Sequence, residues 1–134
     1  MNQKRIVISK SDHRKLSLLL QSEFTQAIGN NPYISRLRGE LYNADIVEPD
    51  FIPPDIVTIN SQVKLIDQDL NEDEIYTLVY PDEANINDGK LSILTPIGTA
   101  IFGCRIGDKV SGYASQMLIK EIIYQPQRSG IMSS

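Results

Sequence analysis

The chain has 134 residues, 41% of them hydrophobic and 22% charged, with a formal net charge of −4. This is the profile of a folded chain with one ordinary core, or one small domain plus an appendage, and it excludes a disordered one. It contains no apolar run near the roughly 18 residues that a membrane span needs, and the N-terminal MNQKRIVISKSD, apolar only from Ile6 to Ile8, is not expected to act as a signal peptide. A single cysteine, Cys104, excludes an internal disulfide, and with His13 as the one histidine a zinc site within the chain is not expected. The expectation is a soluble cytoplasmic protein that needs no metal and no cofactor.

The net charge hides a division. Residues 1–43 hold seven Lys/Arg against Asp12, Glu23 and Glu40, whereas residues 44–134 hold six basic and fourteen acidic side chains. Between Asp45 and Asp88, Lys64 is the one cation among twelve acids. An acidic body repels duplex DNA, whose binding depends on phosphate neutralisation, so independent DNA binding is not expected. A basic arm and an acidic body suit different surfaces of one partner; an unevenly solvated surface is the plainer reading.

Along the chain, Ile6–Ile8 reads as a short strand, and Ser9 with Asp12 as a capping-box-like helix start. Leu16, Leu19, Leu20, Phe24, Ala27 and Ile28 then fall on one helical face, up to the breaker Gly29-Asn30-Asn31-Pro32. A second helix, with Pro32 in its first turn, carries Ile34, Leu37, Leu41 and Ala44. The pair predicts a short antiparallel hairpin that must lean on the body or on a partner, because isolated helices of this length are marginal. DIVEPDFIPPD, residues 45–55, reads as an acidic, Pro-stiffened linker. From there the period switches to two, with strands over Asp55–Ile59, Gln62–Ile66 and Ile75–Tyr80, and with Asn87-Asp88-Gly89 as a hairpin turn before Leu91–Leu94.

Residues 91–110, LSILTPIGTAIFGCRIGDKV, are the most informative stretch. A strand ends at Leu94, Thr95 N-caps a helix with Pro96 in its first position, and Gly103 stops it. A Gly107-Asp108 turn then leads into strands over Lys109–Tyr113 and Met117–Tyr124, and a polar tail from Gln125 is expected to fray. The fold class this predicts is α+β: a short N-terminal helical hairpin (residues 1–48), an antiparallel sheet with one packed helix (49–126) and a flexible tail (127–134).

Ser92, Thr95-Pro96, Gly98, Ala100, Gly103, Gly107-Asp108 and Val110 are spaced as in the C-terminal signature of the bacterial Gre transcription factors, and the chain resembles that family. Asp55–Ser61, Thr77-Leu78-Val79-Tyr80-Pro81 and Tyr124-Gln125-Pro126 resemble its Rnk branch, whose name denotes regulation of nucleoside diphosphate kinase. The resemblance implies an FKBP-like C-terminal domain docked near the secondary channel of RNA polymerase, with a coiled-coil hairpin pointing into the channel. In cleavage-stimulating members, two acids at the hairpin tip help hold a second Mg²⁺, a hard cation that wants charged oxygens. Here the tip, Thr25 to Tyr33 with Gly29, Asn30 and Asn31 at its turn, has no Asp or Glu, and the hairpin is shorter than in cleavage factors. The resemblance therefore implies a polymerase-binding modulator of elongation without transcript-cleavage activity.

Thr95, Pro96 and Ile97 are the residues that the resemblance places at the polymerase. Arg14, Lys15, Arg36 and Arg38 read by default as a solvated face, and otherwise as a contact for acidic polymerase surface or RNA phosphates. His13 has no nucleophile at useful spacing, and Cys104 reads as a partly buried filler. Two other readings are a cleavage-competent Gre factor, which the acid-free tip opposes, and a prolyl isomerase, which needs an aromatic-lined pocket. Only Phe102 lies in the strand–helix region. A regulator of nucleotide metabolism stays open from the branch name.

Overall fold

A computed structural model describes residues 5–22, 31–111 and 116–128. The chain begins with β1 (Val7–Ser9), α1 (Lys10–Gln21), α2 (Pro32–Tyr42) and β2 (Asp45–Val47). Ser9 caps α1 by accepting from the Asp12 backbone N–H at 3.2 Å. β1 and β2 pair in parallel, Val7 opposite Asp45 and Ser9 opposite Val47, so the helical hairpin is bracketed at its base by a two-stranded sheet. Arg5 reinforces that base with a two-pronged contact to the Asp45 carboxylate at 3.0 and 3.1 Å.

The body follows as β3 (Gln62–Asp67), β4 (Glu72–Val79), β5 (Lys90–Ser92), α3 (Pro96–Ile101), β6 (Lys109–Ser111) and β7 (Gln116–Tyr124). These strands form one sheet in the order β5-β4-β3-β7-β6. Along β3, Val63, Leu65 and Asp67 face inward in strict alternation. Asp67 closes the β3–β4 turn, its carboxylate accepting from the backbones of Asp69 and Leu70 at 3.0 and 3.1 Å.

The α+β class is as expected, and the sheet departs from the expected pattern in one respect. β5 runs parallel to β4, with Thr77 opposite Lys90 and Val79 opposite Ser92, so the sheet is mixed. Asn87-Asp88-Gly89 does make a tight turn, with Gly89 left-handed at φ +71°. It closes a local Asn85–Lys90 bridge instead of a β4–β5 hairpin, because the helical turns Pro81–Glu83 and Ile86–Asp88 carry the chain back to the start of β4's partner edge.

Three further expectations are corrected. Asp55–Ile59 is not a strand: Ile56 makes a single bridge to Arg105, and Val57 bonds the backbones of Gly103 and Cys104. A turn ends the extended run, with Ser61 Oγ accepting from the Thr58 N–H at 2.9 Å and Asn60 at φ +71°. The stretch 45–55 is not simply a linker, since it contains β2 and the 3₁₀ turn Pro49–Phe51 and buries Ile52. Gln125–Arg128 does not fray: Gln125 donates to the carbonyls of Pro53 and Ile56 at 2.9 and 2.8 Å, and Thr58 Oγ1 donates to Gln127 at 3.0 Å. Phe24, Ala27, Ile28 and the tip residues Gly29 and Asn30 lie outside the described residues, as do residues 112–115 and 129–134.

The hairpin leans on the body. Leu16 and Leu20 of α1, Ile34, Leu37 and Leu41 of α2, and Ile6 and Ile8 join Val63, Leu65, Leu78, Ile101, Phe102 and Ile119 in one buried apolar cluster. Burying each such side chain contributes about 1.5–3 kcal/mol, which is what holds helices too short to persist alone. Beside this cluster the Tyr80 hydroxyl donates to the buried Asp12 carboxylate at 2.9 Å, a polar tie between arm and body.

Burial raises the Asp12 carboxyl above its ordinary range, opposed by the Tyr80 and Ser9 hydrogen bonds and by nearby Lys15. The folded chain thus holds this proton more tightly than the unfolded chain. Its contribution is greatest below the ordinary carboxylate pKa and is lost as pH rises through the raised folded value. Asp12→Asn keeps an acceptor for Tyr80 but cannot ionise. We expect its urea midpoint to match the wild type near pH 3 and to exceed it near pH 7. A variant that is weaker at neutral pH would mean that the helix N-terminus favours the charge by more than burial opposes it.

Candidate functional site

The junction between β5 and α3 is built almost entirely from its own hydrogen bonds. Ser92 Oγ accepts from the Leu94 N–H at 3.0 Å, and the Ser92 carbonyl accepts from the Thr95 N–H at 3.1 Å and its hydroxyl at 2.8 Å. Thr95 Oγ1 in turn caps α3 by accepting from the Gly98 N–H at 3.0 Å. Thr99 Oγ1 donates back to the Ile93 carbonyl at 2.6 Å, and the Ile93 N–H donates to Val79 in β4. Thr95, Pro96 and Ile97 are half-buried on this frame, and Ile97 packs partly against the core.

Two glycines make this closeness workable. A Cβ at Gly98 would lie 2.1 Å from the Ser92 carbonyl oxygen and 2.9 Å from Thr95 Oγ1. Gly103 follows α3 in the left-handed conformation at φ +80°, and a Cβ there would press on Ile6 at 2.8 Å. Thus the glycine that stops α3 also admits the first core residue of the arm. Asp108 bonds its own turn as expected, accepting from the Arg105 N–H at 2.8 Å.

The other sequence candidates do not share one place. Arg14 and Arg36 are exposed. Arg38 is half-buried and donates to the Leu20 carbonyl at 3.0 Å, lining a 280 Å³ cleft between the helices with His13 and Tyr42. Lys15 lies instead on a groove between α1 and the turn after β4. Lys15 and Arg38 thus line different clefts. His13 is 3.2 Å from the Leu41 carbonyl, a helix-to-helix tie. Cys104 is buried, its thiol donating to the Ala100 carbonyl, and Phe102 is sunk in the core. Of the tip residues, Asn31 is the N-cap of α2, without a side-chain cap bond. Sequence reasoning missed Tyr80, which lies 68 residues from Asp12 in the chain; no local pattern signals such a pair.

A family model for the C-terminal part of the GreA/GreB transcription elongation factors matches residues 52–123, and a model of the Rnk N-terminus matches residues 4–47. The chain belongs to the GreA/GreB family, in its Rnk branch. It is 32% identical over 135 residues to the regulator of nucleoside diphosphate kinase of Escherichia coli K12, covering 97% of both chains. It is 36% identical over 78 residues to transcription elongation factor GreA of Thermodesulfovibrio yellowstonii, over 58% of this chain and 49% of that one. A solved structure of a GreA/GreB elongation factor from Nitrosomonas europaea is 33% identical with a TM-score of 0.77, covering 91% of this chain and all of that one. The chain is thus a Gre-like transcription factor, and the β5–α3 junction falls within the GreA/GreB match.

Gly98→Ala is expected to destabilise the protein by about 1–3 kcal/mol, because the overlap is with backbone that cannot rotate away. Gly39→Ala in α2, where a Cβ meets nothing within 4 Å, should instead gain about 0.5–1 kcal/mol. Parallel denaturant titrations of the two variants check both signs.

Proposed function

We propose that this Gre/Rnk-like factor binds RNA polymerase near its secondary channel, through Thr95, Pro96 and Ile97, and modulates elongation without stimulating transcript cleavage. The observation that carries the reading is the β5–α3 junction. The amides of Leu94, Thr95 and Gly98 and the Thr95 hydroxyl are committed to internal hydrogen bonds, while Pro96 and Ile97 stay half-exposed on a frame that loses little entropy on docking. Its place inside the GreA/GreB match adds family support.

The absence of cleavage activity rests on chemistry. Promoting hydrolysis by a second Mg²⁺ requires carboxylates at the tip, and residues 25–33 carry none. The neutral amides of Asn30 and Asn31 are poor substitutes. The described part of α1 has 12 residues and α2 has 11, about 18 and 17 Å at 1.5 Å per residue, a short arm for reaching a buried catalytic centre. On this reading the protein is an accessory factor, not an enzyme, and works in the cytoplasm where polymerase is.

Immobilised protein is expected to retain core RNA polymerase, and Pro96→Asp to reduce that retention at least about tenfold, as loss of an interface centre does. A cleavage factor added in excess should compete. Stalled complexes treated with the protein should release no short 3′ RNA fragments above background. Failure to retain polymerase removes the binding proposal, and robust fragment release removes the claim of inactivity.

A further inference from the structure

A groove of about 800 Å³ runs between α1 and the turn Pro81–Glu83. Its apolar lining is Leu18 and Leu19 from the arm and Tyr80 and Pro81 from the body. Leu18 is 60% exposed, an unusual cost for a helix whose other leucines are covered, and it opens onto this groove. Asp82 and Glu83 stand on the body-side wall, both exposed, and neither carboxylate has a hydrogen-bond or ion-pair partner among the described residues; Lys15 and Asn60 complete the polar lining. The volume is in the range of sites that enclose a few side chains of a ligand.

The walls are held relative to one another. Tyr80 lies in the groove and its hydroxyl bonds Asp12 at the start of α1, so the same residue forms the lining and ties the arm to the body. A groove whose walls are already fixed needs little ordering to accept a partner. With two exposed carboxylates against the single ammonium of Lys15, the lining is net acidic; beside an apolar floor it disfavours nucleic acid phosphates and favours a cationic side chain next to an apolar one.

We infer that this groove is a second docking surface, separate from the β5–α3 junction, for a polymerase segment in which an apolar side chain neighbours an Arg or Lys. The apolar side chain packs over Leu18, Leu19 and the Tyr80 ring, and the cation pairs with Asp82 and Glu83. The inference rests on the polymerase-binding reading proposed above.

The test uses the full chain with a benzoylphenylalanine photo-crosslinker in place of Leu18, mixed with core RNA polymerase. The expected crosslink maps to a polymerase segment with an apolar residue beside Arg or Lys. The Asp82→Lys, Glu83→Lys double variant should bind polymerase at least about fivefold more weakly in low salt, the gap closing near 0.5 M salt, while Glu48→Lys stays within about twofold of wild type. Circular dichroism on each variant confirms folding. Unchanged affinity of the double variant, or a crosslink to an acidic segment or to a second copy of this chain, overturns the groove assignment and leaves polymerase binding in place. If the wild-type protein retains no polymerase, the binding proposal itself falls and takes this inference with it.

Discussion

Two helices of 12 and 11 described residues cannot persist in water on hydrogen bonds alone, because nucleating a helix costs more than so few turns return. Everything about the arm follows from that limit. Its apolar face is buried in the same cluster as the body's strands, and its ends are pinned where the chain enters and leaves: Asp45 N–H to the Ile6 carbonyl, Arg5 to Asp45, Asp12 to Tyr80. The close approach of Gly103 to Ile6 belongs to the same arrangement, since a Cβ at 103 would lie 2.8 Å from Ile6 Cγ1, the buried side chain just before β1.

That shared core also bears on the β5–α3 junction. α3 packs against α2, so the short helix that follows Thr95 is clamped between the arm and the sheet. The junction then needs no flexibility of its own, and the hydroxyls of Thr95 and Thr99 and the amides of Leu94, Thr95 and Gly98 are bonded internally. Ile97 and Pro96 are left at the boundary between core and solvent, where an apolar residue can serve both packing and contact. The groove on α1's other side arises from the same geometry: an arm laid across a body leaves a cleft wherever the turn after β4 stands away from the helix.

Charge is distributed in keeping with this architecture. From the acidic run between Asp45 and Asp88, Glu72 and Asp73 on β4 and Asp82, Glu83 and Asp88 in the turns beyond it face solvent, whereas Asp67 is buried in its turn and Asp45 and Asp55 pair with Arg5 and Arg105. Arg38 turns back to the Leu20 carbonyl and Lys15 sits on the groove, so these two cations, one from each helix, line different clefts.

Short-range chemistry was legible in the residues themselves. The Ser9 and Thr95 caps, the left-handed Gly103 and the Asp108 turn involve residues a few positions apart, and the inward alternation of β3 follows from the period-two pleat of a strand. The spacing from Ser92 to Val110 carried the family as well. Tertiary structure alone decided that β5 joins β4 in parallel, that residues 45–47 pair with β1 and not with solvent, and that the Gln125–Gln127 segment is buried. It alone brought Tyr80 to Asp12 and opened the groove beside them. The reason is physical: a cap or a turn satisfies its own backbone locally, whereas a strand's partner, or the donor for a buried carboxylate, is chosen by which distant surface the packed core brings within about 3 Å.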